Sequence, residues 1–189
     1  VDRVVATLDE CDAPAVLVGH SMGGGVIAQT GERAPDKIER LVFVAAFVPR
    51  DGESMLDLTG SNQATVLRDN LEVSSDRSVL TVPESLIQPA FYHDCDEEDI
   101  ALARERLRPQ NAAVFAERFS LTDENFGSLE KQFIECIEDQ VINILSQRQM
   151  ARRAGCLINT LQTSHSPFFS APAALAACIA QIGIRDDSA

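Results

Sequence analysis

The sequence predicts an α/β fold, a mostly parallel sheet with helices on both faces and a helical insertion, on three observations. Short continuous apolar runs alternate with segments of helical period at both ends of the chain. The first of those runs passes directly into a glycine-rich turn, and the middle of the chain carries helical patterning with no evident strand.

Residues 1–11 place Val1, Val4, Val5 and Leu8 on one helical face, and Asp12-Ala13-Pro14 ends the pattern. Ala15-Val16-Leu17-Val18 is an unbroken apolar run, which suits a parallel strand covered on both faces. Helical spacing returns over residues 22–34, and Leu41-Val42-Phe43-Val44-Ala45-Ala46 supplies a second buried strand before Pro49, completing a βαβ unit. Residues 51–125 then predict helices near 54–58, 84–91 and 97–107, read as an all-helical cap over a core formed by 1–50 and 126–189. The acidic run at 94–99 reads as a solvated face that starts a helix rather than a metal site. Alternation resumes with strands at 132–137 and 156–161 and helices at 144–154 and 172–182, before a polar, frayed tail at 185–189.

A chain of 189 residues, 45% hydrophobic, holds one core rather than two. Its net charge of −13 opposes nucleic acid and anionic membrane surfaces and favours an uncharged ester or nitrile over a phosphorylated substrate. Cys11, Cys95, Cys136, Cys156 and Cys178 are scattered, without metal-ligand spacing, and read as small core residues in a reducing, cytoplasmic setting. No apolar stretch nears the roughly 20 residues that span a bilayer. Val1-Asp2-Arg3 resembles neither a leader nor a natural start, so an upstream segment is expected to be missing. The oligomeric state stays open, a homodimer included.

The strongest chemical signal is Gly19-His20-Ser21-Met22-Gly23, a G-x-S-x-G match placed between a predicted strand and a predicted helix. Such a turn exposes the serine hydroxyl on a strained backbone and aims the Met22 backbone NH at the charge that develops on an attacked carbonyl. Glycines at 19 and 23 are expected because side chains there would strike the adjoining strand and helix, and Gly24 and Gly25 imply close packing. No phosphate-binding G-x-x-x-x-G-K-[ST] or G-x-G-x-x-G pattern competes. A serine needs a base, and His165, in the loop after the last predicted strand, is better placed than His20 or His93. His20, beside the serine, reads as a packing or hydrogen-bonding residue bordering the substrate. Asp139 closes a strand between nucleophile and base and can orient the imidazole, with Glu138 as the alternative. Met55, Leu58, Ile87, Phe91 and Phe119 are candidate pocket walls, and equally candidates for plain core. None of this chemistry calls for a metal or organic cofactor.

The elbow Val16 to Gly24, the segment Phe133-Ile134-Glu135-Cys136-Ile137-Glu138-Asp139 with Gln147 and Met150, and His165-Ser166-Pro167-Phe168 together resemble the α/β-hydrolase family of plant methyl esterases, hydroxynitrile lyases and bacterial esterases. The resemblance spans nearly the whole chain. It implies an α/β-hydrolase fold lacking its first strands, a Ser21, Asp139 and His165 triad, a helical cap, and hydrolysis of a small or medium hydrophobic ester. The second oxyanion NH, which the family draws from a His-Gly segment, has no counterpart here; losing one such donor costs on the order of 100- to 1000-fold in rate. Lyases of the family carry a lysine directly after the histidine, where this chain has Ser166, so an esterase is expected ahead of a lyase or a non-catalytic binder.

Overall fold

A computed structural model describes residues 1–61, 65–67 and 69–183, so the tail at 185–189 lies outside the described residues. After helix α1 (Asp2–Asp9), strand β1 (Ala15–His20), helix α2 (Gly23–Arg33) and strand β2 (Ile38–Val44) form the βαβ unit. At the other end of the chain, β6 (Lys131–Cys136), α7 (Ile144–Arg153), β7 (Leu157–Leu161), α8 (Pro167–Ser170) and α9 (Pro172–Gly183) continue the alternation. The four strands make a parallel sheet in the order β1-β2-β6-β7.

The middle of each central strand, 41–44 in β2 and 133–134 in β6, is apolar because both of its faces are covered, while Glu39, Arg40, Lys131, Gln132 and Glu135 lie toward the strand ends. Leu41, Phe43 and Phe133 pack with Ile27 and Ala28 of α2 and Met150 and Ala151 of α7 on one face. Val42, Val44 and Ile134 pack with Leu175 and Ile182 of α9 on the other. β1 departs from the expectation of full coverage. It is an edge strand among the described residues, and Val18 is 44% exposed.

Residues 51–125 contain α3 (Met55–Ser61), β3 (Glu72–Val73), β4 (Val79–Thr81), α4 (Glu84–Phe91), α5 (Glu97–Arg106), β5 (Gln110–Asn111) and α6 (Ala113–Ala116). The all-helical expectation is therefore corrected: β3, β4 and β5 form a small antiparallel sheet. Strands of two or three residues are too short for a period of two to register in the sequence. The cysteine expectation is corrected as well, since Cys136 is buried but Cys11 is exposed, lying past the end of α1 rather than on its buried face. All five cysteines are free thiols. Among the described residues no helix is long and apolar enough to cross a membrane.

The turn between β1 and α2 is drawn so tight that a Cβ on Gly19 would lie 2.8 Å from the Gly23 carbonyl oxygen. Gly24 faces the loop after β2, where an added Cβ would stand 2.2 Å from the Phe47 carbonyl oxygen. Gly23 differs from expectation: a Cβ there meets nothing within 4 Å, because its own side-chain direction points into open space and only its carbonyl is crowded. Gly24→Ala should therefore destabilise the fold by about 2–4 kcal/mol, whereas Gly23→Ala should fall within about 1 kcal/mol of the parent protein. Denaturant midpoints of the two variants check this contrast.

Candidate active site

The hydroxyl-bearing turn is strained at one residue. Ser21 has φ 54°, in the left-handed region that costs an L-residue roughly 1–2 kcal/mol. Hydrogen bonds on both sides hold it there. Ser21 N donates to the Val44 carbonyl (3.2 Å), and the Ser21 carbonyl accepts from Gly24 N and Phe47 N (each 3.1 Å). Met22 caps the N-terminus of α2, where the first amides of a helix lack intrahelical acceptors. Ser21 and Met22 both line a cavity of about 560 Å³, with walls that include Phe47, Met55, Leu71, Val82 and Phe91.

Across the sheet, Asp139 follows β6 and is buried with His165, both side chains fully enclosed. His165 Nδ1–H donates to Asp139 Oδ2 at 2.8 Å. The other carboxylate oxygen, Oδ1, accepts the amides of Val141 (2.7 Å) and Ile142 (3.0 Å). Gln147, on the first turns of α7, brings its Nε2 to 3.0 Å from Asp139 Oδ2 while its Oε1 accepts the Cys136 amide (3.0 Å). Every neighbour of the Asp139 oxygens is a donor, so the carboxylate is held in one orientation without competing acceptors. Because Nδ1 carries the proton toward Asp139, Nε2 of the neutral imidazole is the basic nitrogen, and it is buried without a hydrogen-bond partner.

His20 supports this imidazole from behind rather than facing the cavity. Its Nε2–H donates to the His165 carbonyl (2.7 Å), its ring lies 4.6 Å from the His165 ring, and Phe168 packs edge-on at 5.0 Å. Burial first, and then the neighbouring His165, push the His20 imidazole down to about 3, so it remains a neutral donor. Phe91 connects the base to the cavity, since it lines that space and its ring stands edge-on to His165 at 5.5 Å.

The remaining sequence candidates divide. Met55 and Phe91 line the cavity. Leu58 and Ile87 do not: they are 2% and 5% exposed and belong to the core, because their helical positions face inward, away from the space. Phe119 lies against the backbone of α2, 2.6 Å from where a Gly25 Cβ would be, and lines a neighbouring hollow of about 310 Å³ instead. Glu138 uses its amide to continue the sheet to the Thr163 carbonyl (3.1 Å), Glu135 pairs with Arg148 (2.8 Å), and His93 is exposed. The acidic run is largely exposed and starts a helix, as expected, with Asp96 capping α5 by accepting from Asp99 N (2.9 Å). Asp94, exposed as well, also accepts the Ser164 amide (2.7 Å) beside His165, a contact across 70 residues of sequence that composition alone does not reveal. Arg108, Asp69 and Gln110 are polar residues on the cavity wall that sequence patterning did not single out.

The profile of the Alpha/beta hydrolase family matches residues 1–178. Salicylic acid-binding protein 2 of Nicotiana tabacum is 32% identical over 188 residues, 90% of this chain and 71% of that protein. Methylesterase 1 of Arabidopsis thaliana is 31% identical over 85% of this chain and 66% of its own length. Further Arabidopsis thaliana relatives named as chloroplastic methylesterases are longer, and the chain spans 44% of one and 40% of the next. Among solved structures, polyneuridine aldehyde esterase superposes with a TM-score of 0.85 at 20% identity, over 97% of this chain and 78% of that one. A pyrethroid hydrolase from Sphingobium faniae gives 0.83 at 23% identity, over 96% and 75%. At those identities the two structures bear on the fold.

The low pKa of His20 has a signed consequence. An unfolded chain protonates His20 near 6.5, while the folded chain resists down to about 3, so folding stability should fall as pH drops through that window. Between pH 6.5 and about 5.5 the carboxylates of Glu32, Glu53 and Glu135, lowered from 4.5 by folding, are largely ionised in the unfolded chain as well, so His20 contributes more to the slope there than they do. The expected slope is up to about 1.4 kcal/mol per pH unit, and His20→Gln should flatten it in urea melts taken across that range.

Proposed function

The chain belongs to the Alpha/beta hydrolase family, and from that premise we propose that it is a carboxylesterase-type enzyme that cleaves small or medium hydrophobic esters through an acyl-enzyme formed on Ser21. The observation that carries this reading is the enclosed imidazole of His165, fixed by Asp139 through Nδ1 and left with an unpartnered Nε2 one aromatic ring away from a cavity lined by a strained serine. A buried polar nitrogen without a partner is costly in a purely structural role. It is useful where a proton must be received.

In this scheme the Ser21 hydroxyl attacks the ester carbonyl as its proton passes to His165 Nε2, and the Met22 amide faces the oxyanion. The imidazolium, stabilised by Asp139, returns the proton to the alcohol as the carbon–oxygen bond breaks. Water then attacks the acyl-enzyme, giving its proton to His165, and Ser21 is regenerated with release of the carboxylic acid. Gln147 acts behind Asp139, and His20 behind His165. The predominantly apolar wall suits an uncharged, hydrophobic acyl or alcohol group, in keeping with a chain of net charge −13. Relatives named as methylesterases support ester cleavage over other carbonyl chemistry. Ser166, 1% exposed, puts no cation beside the base, which weighs against stabilising a departing cyanide in a lyase.

Hydrolysis of p-nitrophenyl butyrate tests the proposal. Ser21→Ala and His165→Ala should each lower kcat by at least about 1000-fold with the fold retained, and Asp139→Asn by on the order of 100- to 10,000-fold. Equal turnover by Ser21→Ala and the parent protein would remove the assignment.

A further inference from the structure

The loop that carries His165 is tied down at three backbone points by three different parts of the chain. The Glu138 amide, past the end of β6, donates to the Thr163 carbonyl (3.1 Å), and His20 donates to the His165 carbonyl (2.7 Å). Both fasten the loop to the sheet. The third tie comes from the opposite side, where Asp94 Oδ2 accepts the Ser164 amide at 2.7 Å and the Phe91 carbonyl accepts the Ser164 hydroxyl at 3.2 Å. Phe91 is the last residue of α4, residues 92–94 follow directly on it, and Phe91 is the aromatic wall shared by the cavity and the imidazole.

Asp94 does not have the usual task of its neighbours. Asp96 caps α5, and Glu97, Glu98 and Asp99 fill its first turn, where negative charge is favoured. Asp94 instead directs its carboxylate across the turn to an amide adjacent to the base. Burial alone would raise its carboxyl, yet the hydrogen bonds from Ser164 outweigh that and hold it below the usual carboxylate range. A charge-assisted bond of this length is among the stronger ties available to a surface turn.

We propose that Asp94 is a positioning residue: by holding the Ser164 amide it locks the His165 loop to the Phe91 wall of the cavity, so that the imidazole is oriented for Ser21 only while the 91–94 turn is docked. The inference rests on His165 serving as the base for Ser21. A displacement of about 1 Å in a reacting group can cost on the order of 100-fold in rate, so a single lost tie on this loop is enough to register.

Two measurements on Asp94→Ala and Asp94→Asn separate this claim from the one beneath it. Hydrogen–deuterium exchange over residues 164–166 reads the loop directly, whatever the catalytic role of the loop. It should quicken at least about tenfold in Asp94→Ala and stay near the parent rate in Asp94→Asn, whose amide oxygen accepts the same NH. Phosphonylation of Ser21 by a fluorophosphonate, together with kcat for p-nitrophenyl butyrate, should drop about 10- to 100-fold in Asp94→Ala with KM nearly unchanged, and recover most of the way in Asp94→Asn. Ser164→Ala, which removes the tie to the Phe91 carbonyl (3.2 Å) and the longer bond from the Ser166 amide to the Ser164 hydroxyl (3.4 Å) while leaving the Asp94 bond to the Ser164 amide, should show the same pattern at about threefold, read at the Ser164 amide, and serves if Asp94→Ala loses its fold. Unchanged exchange and labelling in the alanine variants, or an asparagine variant as impaired as the alanine one, would overturn the positioning role. A parent protein whose Ser21 resists the fluorophosphonate while exchange responds as described would instead overturn the assignment of Ser21 and His165.

Discussion

A carboxylate and an imidazole sealed together away from water, Asp139 to His165 at 2.8 Å, is the contact on which the site depends. Burying either group alone would be unfavourable by several kcal/mol, and removing one would leave the other without compensation. The surrounding residues are arranged to make the burial tolerable: the amides of Val141 and Ile142 and the carboxamide of Gln147 complete the oxygens of Asp139. What is left over is one nitrogen, Nε2 of His165, with no partner of its own. Structure and chemistry meet at that atom, since the same network that stabilises the pair leaves its basic end unspent.

The sheet makes this convergence possible. β1, β2, β6 and β7 run parallel, so the turn bearing Ser21, the turn bearing Asp139 and the loop bearing His165 all leave from the same ends of their strands. Tight backbone contacts hold the first of these turns, through Ser21 at φ 54° and the close approaches of Gly19 and Gly24. Strain of this kind persists only where the surroundings enforce it, and here the Val44 carbonyl and the Phe47 amide do so from the neighbouring strand and loop.

Residues 51–125 contribute both to the core and to the cavity wall. Phe91 and Met55 face the cavity with Ser21, while Leu58 and Ile87 are consumed by packing, so only part of the apolar surface of this region can select a ligand. Asp94 and Phe91 reach back to the histidine loop, so an aromatic wall of the cavity and the loop bearing His165 are joined by hydrogen bonds and a ring contact. His20 closes the same loop from the sheet side as a neutral donor.

The sequence by itself determined what is local along the chain. The continuous apolar runs specify strands, although not that β1 would lie at an exposed edge, Gly19-His20-Ser21-Met22-Gly23 specifies a strand-to-helix turn, and the order of serine, acid and histidine follows from where those strands end. Pieces too short for a period to register, such as β3, β4 and β5, were not legible, nor was the open space beside Gly23. Tertiary structure alone decided which side chains meet: that Asp139 rather than Glu138 lies against the imidazole, that Gln147 reaches the carboxylate, that Phe119 turns to α2, and that Asp94 leaves an acidic run for Ser164. The physical reason is that such contacts join residues up to 145 positions apart, as His20 and His165 are. Their geometry is the sum of every intervening backbone angle and packed layer, whereas a strand or a turn is settled by the few residues within it.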